Sequence, residues 1–355
     1  TVYMSIEDLP FPQVRNVEDL LMELRSGKKY DDKSFLEQFC KYENPFSSQK
    51  LCDYVFLGEN TGLEIHKVPN NGKENVLFYV GNLSGNGITA SFRNLMNSID
   101  LSKRNYYFTF KTEKVVNNTE TIFTFPEKVS YFAMTGDPNI TLWDRIWRKA
   151  FDKKWISIDA YMKHQGTRVE QELERKLGKA YFDKLVQFSG YEADIILEFS
   201  TFNKSKSIYV HSDMIQEIVT RGNQRRDVLK YAYNHFDNVA VVTEDIIQPT
   251  LEISGDSGNI KVAKNLINYQ TILEKSGYEV ILDPFTKTTM SEERLKTILD
   301  SDKECFISVG RFSPEKGHKR LVSAFKKYHM NQKDSYLIII CLLYTSDAAD
   351  DRISV

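Results

Sequence analysis

Two kinds of hydrophobic pattern divide the chain. Up to about residue 70, apolar positions recur at helical spacing in NVEDLLMELRSG, KSFLEQFCKY and SSQKLCDYVFLG, and Gly27 and Gly58 end two of these segments. No apolar run in this part is long enough to form a sheet. The pattern therefore predicts a small helical piece over residues 1–60, followed by a polar, turn-rich linker over 61–74.

From Asn75 onward, short apolar runs alternate with segments of helix length. The runs predicted as strands are 76–80, 106–110, 194–199, 207–210, 239–242, 278–282, 305–309 and 336–340. Strands separated by helices form βαβ units with a parallel sheet, so this pattern predicts an α/β fold. The segment 250–261 is predicted as a loop, and a second α/β unit is expected to begin near Asp300.

Composition and charge narrow the class of protein. A chain of 355 residues that is 41% hydrophobic and 27% charged is typical of a globular protein with two domains. The net charge of −2 does not favour nucleic acid as a partner. The four cysteines lack the spacing of a zinc site, which favours a reduced, cytoplasmic compartment. No apolar run approaches the roughly 20 residues that would span a bilayer.

A glycine-rich stretch, GNLSGNGITASF, follows the first predicted strand. Its glycines let the backbone bend tightly and approach a ligand, and the hydroxyl of Thr89 or Ser91 is expected to cap the next helix. The spacing is neither GxGxxG nor that of a P-loop. Two interpretations stay open, a turn that serves only the fold and a substrate loop. The candidate residues of the substrate loop are Gly81, Gly85, Asn86, Gly87 and Thr89.

A second turn, VGRFSPEKGHKRL, joins a predicted strand to a basic helical pattern. Arg311 and Lys316 lie five residues apart on its two shoulders. Fixed cations at this spacing suit a doubly charged ligand such as a diphosphate. Gly310 and Gly317 permit close approach, and the helix that begins there can direct its N-terminus at the ligand. The cations farther along the helix are expected to form a solvated basic face; they are Lys319, Arg320, Lys326 and Lys327.

His211 follows the predicted strand SIYV. Ligands of parallel α/β sheets gather outside the carboxyl ends of the strands, which makes His211 a candidate for chemistry. Asp213 is expected to cap the following helix. Glu244 and Asp245 follow another strand end, where ligand contact and helix capping explain them equally well. The other histidines have no spacing typical of a metal site or a catalytic triad, so no bound metal is expected.

All three tryptophans lie in ITLWDRIWRKAFDKKW. Trp143, Trp147, Phe151 and Trp155 recur every four residues and are expected to share one slowly drifting helix face. The surrounding cations are Arg145, Arg148, Lys149, Lys153 and Lys154. Aromatic rings beside cations suit docking to an anionic membrane surface. The candidates for docking are Trp143, Trp147, Arg148 and Lys149. The alternative is that the aromatic stripe packs into the core.

Taken together, these segments resemble a known family. VGRFSPEKGHKRLVSAF resembles the donor-domain signature of glycosyltransferase family 4, retaining enzymes of the GT-B fold. GNLSGNGITASFRNL, YVHSDM and VAVVTEDI resemble acceptor-domain elements of a branch linked to teichoic acid and capsule polymers, and KNLIN resembles a segment near the domain junction. The resemblance implies an acceptor-side Rossmann-like domain over 75–300 and the truncated start of a Rossmann-like donor-binding domain over 301–340.

The resemblance also implies a reaction. A hexose would move from a nucleotide sugar, with UDP the expected nucleotide, to a teichoic acid, capsular polymer or lipid-linked acceptor. By the same resemblance, Gly310, Arg311 and Lys316 bind the donor diphosphate, and His211 lies beside the sugar as the catalytic candidate. Fixed cations stabilise the charge that builds on the leaving diphosphate. No cofactor and no metal are implied, and the enzyme would be cytoplasmic or peripheral on the inner face of the cell membrane.

The two ends of the chain resemble other sequences. MSIEDLPFPQVRNVEDLLMEL and FLEQFCKYENPFSSQKLCDYVF look like the C-terminal end of a CDP-glycerol glycerophosphotransferase domain, whose active site would lie upstream of Thr1. CLLYTSDAADDRISV, residues 341–355, resembles a translated sequencing adapter. This interpretation predicts an inactive fragment of a bifunctional protein. Two alternatives stay open, a glycerophosphotransferase fragment and a non-catalytic membrane-docking module of a polymer synthesis complex.

Overall fold

A computed structural model describes most of the chain. The described residues are 9–40, 45–60, 62–63, 65, 67–134, 136–178, 180–255, 258–282, 286–288, 290–310, 312 and 316–341. The chain divides into two compact units, Thr1–Asn268 and Tyr269–Val355. The segment 342–355, which contains almost all of the sequence that resembles an adapter, lies outside the described residues. The predicted domain boundaries stay predictions.

In the part of the chain that the structure describes, three short helices precede the first strand. They are α1 (Val17–Ser26), α2 (Lys33–Phe39) and α3 (Ser47–Cys52), the last continuing as a π-helix over Asp53–Leu57. The side chain of Asn16 caps α1 by accepting a hydrogen bond from the Asp19 amide. Gly27 and Gly58 end their helices in the left-handed conformation that glycine adopts without steric cost. No side chain of α1 is buried.

The first unit is built on seven parallel strands. The strands are β1 (Glu74–Tyr79), β2 (Arg104–Lys111), β3 (Ser130–Met134), β4 (Lys184–Gln187), β5 (Ser205–Val210), β6 (Asn238–Val241) and β7 (Ile260–Val262). Their order in the sheet is β3-β2-β1-β4-β5-β6-β7, and every neighbouring pair is parallel. The predicted α/β fold with a parallel sheet is therefore confirmed.

Helices connect these strands. They are α4 (Gly87–Ser98), α5 (Thr112–Val115), α6 (Leu142–Asp152), α7 (Ile158–Leu177), α8 (Ala193–Ser200), α9 (Met214–Arg221), α10 (Arg226–His235) and α11 (Ile247–Ser254). Short 3-10 helices cover Val116–Thr124 and Glu244–Ile246. Successive residues of a strand point to opposite faces, so Phe78 and Tyr79 of β1 enter two different hydrophobic clusters. The sheet is thus buried on both faces, as parallel sheets require.

Several predictions of single elements were wrong. Residues 194–199, predicted as a strand, lie in α8, whose residues Ile195–Ser200 are all buried. A short apolar run fits a buried helix as well as a strand. The strand in this region is β4, ten residues earlier. The predicted loop over 250–261 contains the end of α11 and the start of β7, and no strand covers 278–282 in the described residues.

The second unit contains the elements α12 (Tyr269–Ser276), α13 (Glu292–Leu299), β8 (Glu304–Val309), α14 (His318–Asn331) and β9 (Ser335–Ile340). The strands β8 and β9 pair in parallel, with Glu304 opposite Ser335. The ring of Phe306 on β8 contacts the rings of Phe325 and Tyr328 on α14, at centroid distances of 5.9 and 5.3 Å. The two strands and α14 therefore form one βαβ unit, as the sequence predicts for 305–340.

Candidate functional site

The direction of the strand connections reverses between β1 and β4 in the sheet of the first unit. Phe92 of α4 packs with Phe78 on one face, whereas Ile195 of α8 packs with Tyr79 on the other. The connections that leave two adjacent parallel strands therefore run to opposite sides of the sheet. Ligands of open α/β sheets bind outside the carboxyl ends of strands at such a reversal. The candidate site is consequently formed by the residues that follow β1, β4 and β5.

The glycine-rich loop after β1 approaches the loop after β4. Gly81 has a φ of +78°, and a Cβ atom at this position would lie 3.2 Å from the Cβ of Ser189. That separation is tighter than ordinary van der Waals contact, so the absence of a side chain lets the two loops meet. The sequence predicts that the glycines of this loop let the backbone approach a ligand closely. The close neighbour of Gly81 in the structure is the side chain of Ser189.

Asn86 caps the helix that follows the glycine-rich loop. Its side-chain oxygen accepts a hydrogen bond from the amide of Thr89, 3.0 Å away, and Gly87 is the first residue of α4. The prediction that Thr89 or Ser91 caps this helix was wrong. Thr89 is buried inside the first turn, and the Ser91 hydroxyl donates to the side chain of Asn265 at 2.6 Å. The cap fixes the chain direction after Gly85.

His211 contacts the same loop after β4. One ring nitrogen, Nε2, lies 2.7 Å from the carbonyl oxygen of Phe188, and the ring meets the Phe188 ring edge-on at 5.0 Å. The neighbouring ring of Tyr209 is nearly parallel to it at 5.7 Å. The loop after β4 therefore contacts both Gly81 and His211, two candidate residues from separate parts of the sequence.

Burial favours the neutral form of His211. Burial lowers the pKa of His211 below its ordinary value, and the bond to the Phe188 carbonyl opposes that effect only in part. Because Nε2–H donates to the carbonyl oxygen, Nδ1 of the neutral ring remains an acceptor. Asp213, two residues on, accepts hydrogen bonds from the amides of Ile215 and Gln216, which confirms that it caps α9.

The loop after β4 contains residues that were not predicted from the sequence. Gly190 has a φ of +71°, and a Cβ atom there would lie 2.5 Å from the carbonyl oxygen of Tyr209. The buried side chain of Gln187 accepts from the Gly190 amide at 2.8 Å and donates to the Tyr191 carbonyl at 2.7 Å. A glycine directly after the segment KLVQFS is the signal that could have indicated this turn.

The acidic pair after β6 has a structural explanation. Thr243, not Glu244 or Asp245, caps the short helix, since its hydroxyl accepts a hydrogen bond from the Asp245 amide at 3.1 Å. Glu244 is exposed and forms an ion pair with Lys264 at 3.3 Å. Neither carboxylate takes part in the contacts around His211 given above.

In the second unit, Lys316 lies against Gly310. The backbone amide of Gly310 donates to the Ile340 carbonyl at 2.9 Å, which continues the pairing of β8 with β9. A Cβ atom at Gly310 would lie 3.5–3.7 Å from the side-chain carbons of Lys316. Gly317, with a φ of +64°, then precedes α14, as predicted. Arg311, the other predicted cation, lies outside the described residues.

The tryptophan-rich segment is only partly a single helix face. α6 ends at Asp152, so Trp155 lies beyond it, contrary to the predicted continuous stripe. Phe151 is buried and stacks on Tyr161 at 4.4 Å, whereas Trp143 is 63% exposed. Trp147 is half-buried and stacks on the ring of His164 at 4.4 Å. The segment therefore anchors to the core through Phe151 and exposes its N-terminal tryptophan.

The described residues contain neither a cluster of metal ligands nor a membrane-spanning helix. They contain no group of three or more His, Cys, Asp and Glu side chains that could hold a metal ion. No helix among them combines the length and the apolar character that crossing a bilayer requires.

Comparisons with known proteins give one family match and several distant structures. The family model described as Glycosyl transferases group 1 matches residues 289–341, a small part of the chain. No curated protein sequence matches. Among solved structures, HepE from Anabaena in complex with UDP and glucose is 11% identical, with 77% of this chain and 62% of HepE covered and a TM-score of 0.44. This chain thus spans less than two thirds of HepE.

Two further structures are similar at the same low level of identity. Arabidopsis thaliana UGT89C1 complexed with UDP-L-rhamnose is 11% identical, with 76% of this chain and 70% of that protein covered and a TM-score of 0.38. The N-terminal domain of Candida albicans trehalose-6-phosphate phosphatase is 11% identical, with 81% of this chain and 68% of that chain covered and a TM-score of 0.45.

Proposed function

We propose that the chain belongs to a GT-B glycosyltransferase that transfers a hexose from a nucleotide sugar, with retention of configuration. The observation that carries this proposal is the match of residues 289–341 to the group 1 glycosyltransferases. The matched segment contains β8, the turn at Gly310, Lys316 and α14, which is the segment selected from the sequence for diphosphate binding. UDP is the proposed nucleotide, and a teichoic acid or capsular polymer is the proposed acceptor, both from the sequence resemblance.

The chemistry proposed for the second unit depends on Lys316. Its ammonium group, with Arg311, would neutralise the charge that develops on the departing diphosphate, which favours the transition state over the bound substrate. Gly310 lets the Lys316 side chain lie close to the strand end. The N-terminus of α14 adds partial positive charge at the same place.

The first unit would supply the acceptor side and His211. The neutral imidazole of His211 keeps Nδ1 available to accept a hydrogen bond from a sugar hydroxyl, while Nε2–H donates to the Phe188 carbonyl. The acceptor is proposed to bind near the loop 81–92, whose conformation depends on Gly81 and the Asn86 cap. This role of the loop rests on the sequence resemblance and on its position at the carboxyl end of β1.

Binding of UDP to the purified protein tests the donor half of the proposal. Lys316→Gln should weaken binding by about tenfold, because a charge-assisted hydrogen bond to phosphate contributes about 1.5–3 kcal/mol. Gly310→Val should weaken it as well, since the added methyl groups displace the Lys316 side chain. Lys326→Gln is the matched control on an exposed lysine of α14. The proposal is contradicted if Lys326→Gln weakens UDP binding as much as Lys316→Gln does. It is also contradicted if Lys316→Gln and Gly310→Val both bind UDP as tightly as the original protein.

Transfer of label from a radiolabelled UDP-hexose to poly(glycerol phosphate) tests the reaction itself. The anomeric configuration of the product, read by NMR, distinguishes retention from inversion. A sample that binds UDP and transfers hexose to another acceptor, but to no polyol phosphate polymer, would exclude the proposed acceptor class. That result would leave the donor half of the proposal to be judged by the binding experiment alone.

We also propose that the first turns of α6 dock on an anionic membrane surface. Leu142, Trp143 and Ile146 are 77%, 63% and 51% exposed. The cations Arg145 and Lys149 lie on the same helix, so the apolar side chains can enter the headgroup boundary while the cations meet anionic lipid. The charge of these cations is what favours a bilayer over an apolar protein partner.

Flotation with lipid vesicles tests this docking. Vesicles with about 30% phosphatidylserine should bind the protein, and neutral phosphatidylcholine vesicles should not, because the cations require anionic lipid. Trp143→Ala should reduce binding. Phe123→Ala removes another exposed aromatic side chain, 82% exposed, and should leave binding unchanged. Equal binding to both vesicle types would argue against an electrostatic dock.

A further inference from the structure

The peptide bond between Phe188 and Ser189 spans the space between β1 and β5. The Ser189 amide donates to the carbonyl of Tyr79, the last residue of β1, at 3.2 Å. The N–H and C=O of a trans peptide point in opposite directions, so the Phe188 carbonyl points to the other neighbour of β4, which is β5. His211, the first residue after β5, accordingly places Nε2 2.7 Å from this oxygen. The orientation of one peptide therefore decides whether His211 has its hydrogen-bond partner.

A buried amide side chain braces the loop that contains this peptide. Gln187, the last residue of β4, is fully buried. Its Oε1 accepts from the Gly190 amide at 2.8 Å and from the Ser189 hydroxyl at 3.1 Å. Its Nε2 donates to the Tyr191 carbonyl at 2.7 Å. These bonds to three consecutive residues close the turn, and the peptide before Ser189 lies inside it.

Packing alone does not explain a glutamine at the end of β4. Its neighbours Leu185, Val186 and Phe188 are buried and apolar. Because alternate residues of a strand share a face, Gln187 lies on the side of Leu185, which belongs to a hydrophobic cluster. A buried amide costs free energy unless its donor and acceptor are both used, so an apolar side chain would suit this position better if it only filled space. The loop that Gln187 holds explains its polarity.

The braced loop is packed tightly against both neighbouring strands. A Cβ atom at Gly190 would lie 2.5 Å from the Tyr209 carbonyl oxygen on β5, and one at Gly81 would lie 3.2 Å from the Cβ of Ser189. Both separations are shorter than ordinary van der Waals contact. Closely packed interiors transmit small displacements, so the distance from this loop to His211 depends on how the turn is held.

The hydrogen bond gives the imidazole of His211 an orientation that its aromatic neighbours do not. The ring meets that of Phe188 edge-on at 5.0 Å and lies nearly parallel to that of Tyr209 at 5.7 Å. These contacts fix the plane of the ring, but they would be nearly the same after a rotation of 180° that exchanges nitrogen and carbon positions. A carbonyl oxygen only accepts, so it selects the orientation with Nε2–H towards Phe188 and leaves Nδ1 as the acceptor.

We propose that Gln187 is a positioning residue of the transferase site. It acts through the Phe188 carbonyl, which holds His211 in one orientation with Nδ1 as the acceptor nitrogen. Gln187 is buried and has no direct contact with a substrate in this role. The proposal rests on the function proposed above, because the orientation of His211 matters for transfer only if its imidazole contacts the sugar.

Proton exchange at His211 tests the positioning without any substrate. In protein labelled with [15N]histidine, the Nε2–H signal of His211 is the ring N–H signal that His211→Gln removes. Gln187→Met keeps the side-chain length and loses all three hydrogen bonds, so exchange of this proton with water should become at least about tenfold faster. An unchanged exchange rate would overturn the proposal. So would the absence of a protected ring proton on His211 in the original protein.

Asn75→Leu is the matched control for loss of a buried amide. Asn75 lies near the start of β1, at the opposite edge of the sheet, and its Nδ2 donates to the carbonyls of Pro69 and Tyr181, each at 3.2 Å. This variant also leaves carbonyls unpaired, yet exchange at His211 should stay slow. Equal acceleration in Asn75→Leu and Gln187→Met would mean that Gln187 only stabilises the unit, which overturns the positioning role.

Ser189→Ala decides the test if Gln187→Met does not fold. It removes the hydroxyl that donates to Gln187 Oε1 at 3.1 Å and accepts from the Tyr191 amide at 3.3 Å, a smaller part of the same brace. Exchange at His211 should then be about threefold faster. Exchange as slow as in the original protein would overturn the proposal in this case.

Transfer of labelled hexose gives the functional readout. If Gln187 acts through His211, the double variant Gln187→Met, His211→Ala should be no slower than His211→Ala alone. Losses that multiply would show two independent effects and contradict the positioning role. Absence of transfer by the original protein would contradict the proposed function instead, and proton exchange would still decide whether Gln187 holds His211.

Discussion

Gly190 illustrates how one residue controls the loop after β4. A Cβ atom at this position would lie 2.5 Å from the Tyr209 carbonyl oxygen, and the φ of +71° is unfavourable for any other residue. Gly190→Ala should therefore lower the free energy of unfolding by more than about 2 kcal/mol. Gly87→Ala is the control, because no atom lies within 4 Å of the position that its methyl group would take and alanine favours a helix. Urea unfolding measures the stability of both variants. If Gly87→Ala destabilises the protein as much as Gly190→Ala does, the close contact of Gly190 with the Tyr209 carbonyl does not explain the loss.

His211 should make stability depend on pH. Its pKa is lowered by burial from an ordinary value of 6.5, so the unfolded chain binds a proton at this residue before the folded protein does. The free energy of unfolding should then decrease as the pH falls below 6.5, by up to about 1.4 kcal/mol per pH unit, until the folded-state pKa is reached.

The variant His211→Gln tests this origin of the pH dependence. Its side-chain amide can still donate to the Phe188 carbonyl but does not titrate, so the decrease in stability between about pH 5 and 6.5 should become shallower. A slope in His211→Gln identical to that of the original protein would assign the effect to other groups.

Among the elements, α4 depends on its N-cap. Asn86→Ala should cost about 1 kcal/mol of stability, because the Thr89 amide loses its side-chain acceptor. Asn86→Asp restores an acceptor and should recover most of the loss. Thermal unfolding of the three proteins measures the difference. If Asn86→Asp is as unstable as Asn86→Ala, the side-chain cap does not account for the effect.

The sequence pattern predicts elements well where burial is continuous along a strand. β1 and β6 are almost wholly buried and coincide with predicted apolar runs, because strands buried on both faces have few polar positions. β5, β8 and β9 also contain predicted apolar runs, although β8 is largely exposed. β3 was not predicted, although residues 131–134 form a short apolar run, YFAM. The fully buried helix α8 has the opposite difficulty, since burial on all sides removes the helical periodicity.

Candidate site residues were easier to find than the contacts that connect them. A glycine or histidine at a strand end is visible in the sequence, as Gly81 and His211 show. Their common partner is the loop after β4, which could not be recognised once α8 was taken for the strand. Glu192, at the N-cap of α8, has a left-handed φ of 68° without any sequence signal, because this φ depends on the packing of α8 against the sheet and not on the residue type.

The three tryptophans provide a local probe within the whole molecule. Trp143, Trp147 and Trp155 all belong to the first unit, whereas the segment that matches the group 1 glycosyltransferases belongs to the second. Tryptophan fluorescence therefore reports on the first unit, while far-UV circular dichroism reports on helices of both. Multi-domain chains often unfold in more than one step, which the two signals can resolve.

UDP should separate these two signals. A ligand that binds only the folded form stabilises it by about 2.7 kcal/mol at a concentration of 100 times Kd. The segment proposed to bind UDP belongs to the second unit, so UDP should raise the temperature at which the circular dichroism signal of that unit is lost and leave the fluorescence-detected midpoint unchanged. Equal shifts of both signals would mean that the units unfold together, because stabilisation of the site would then be shared by the whole chain.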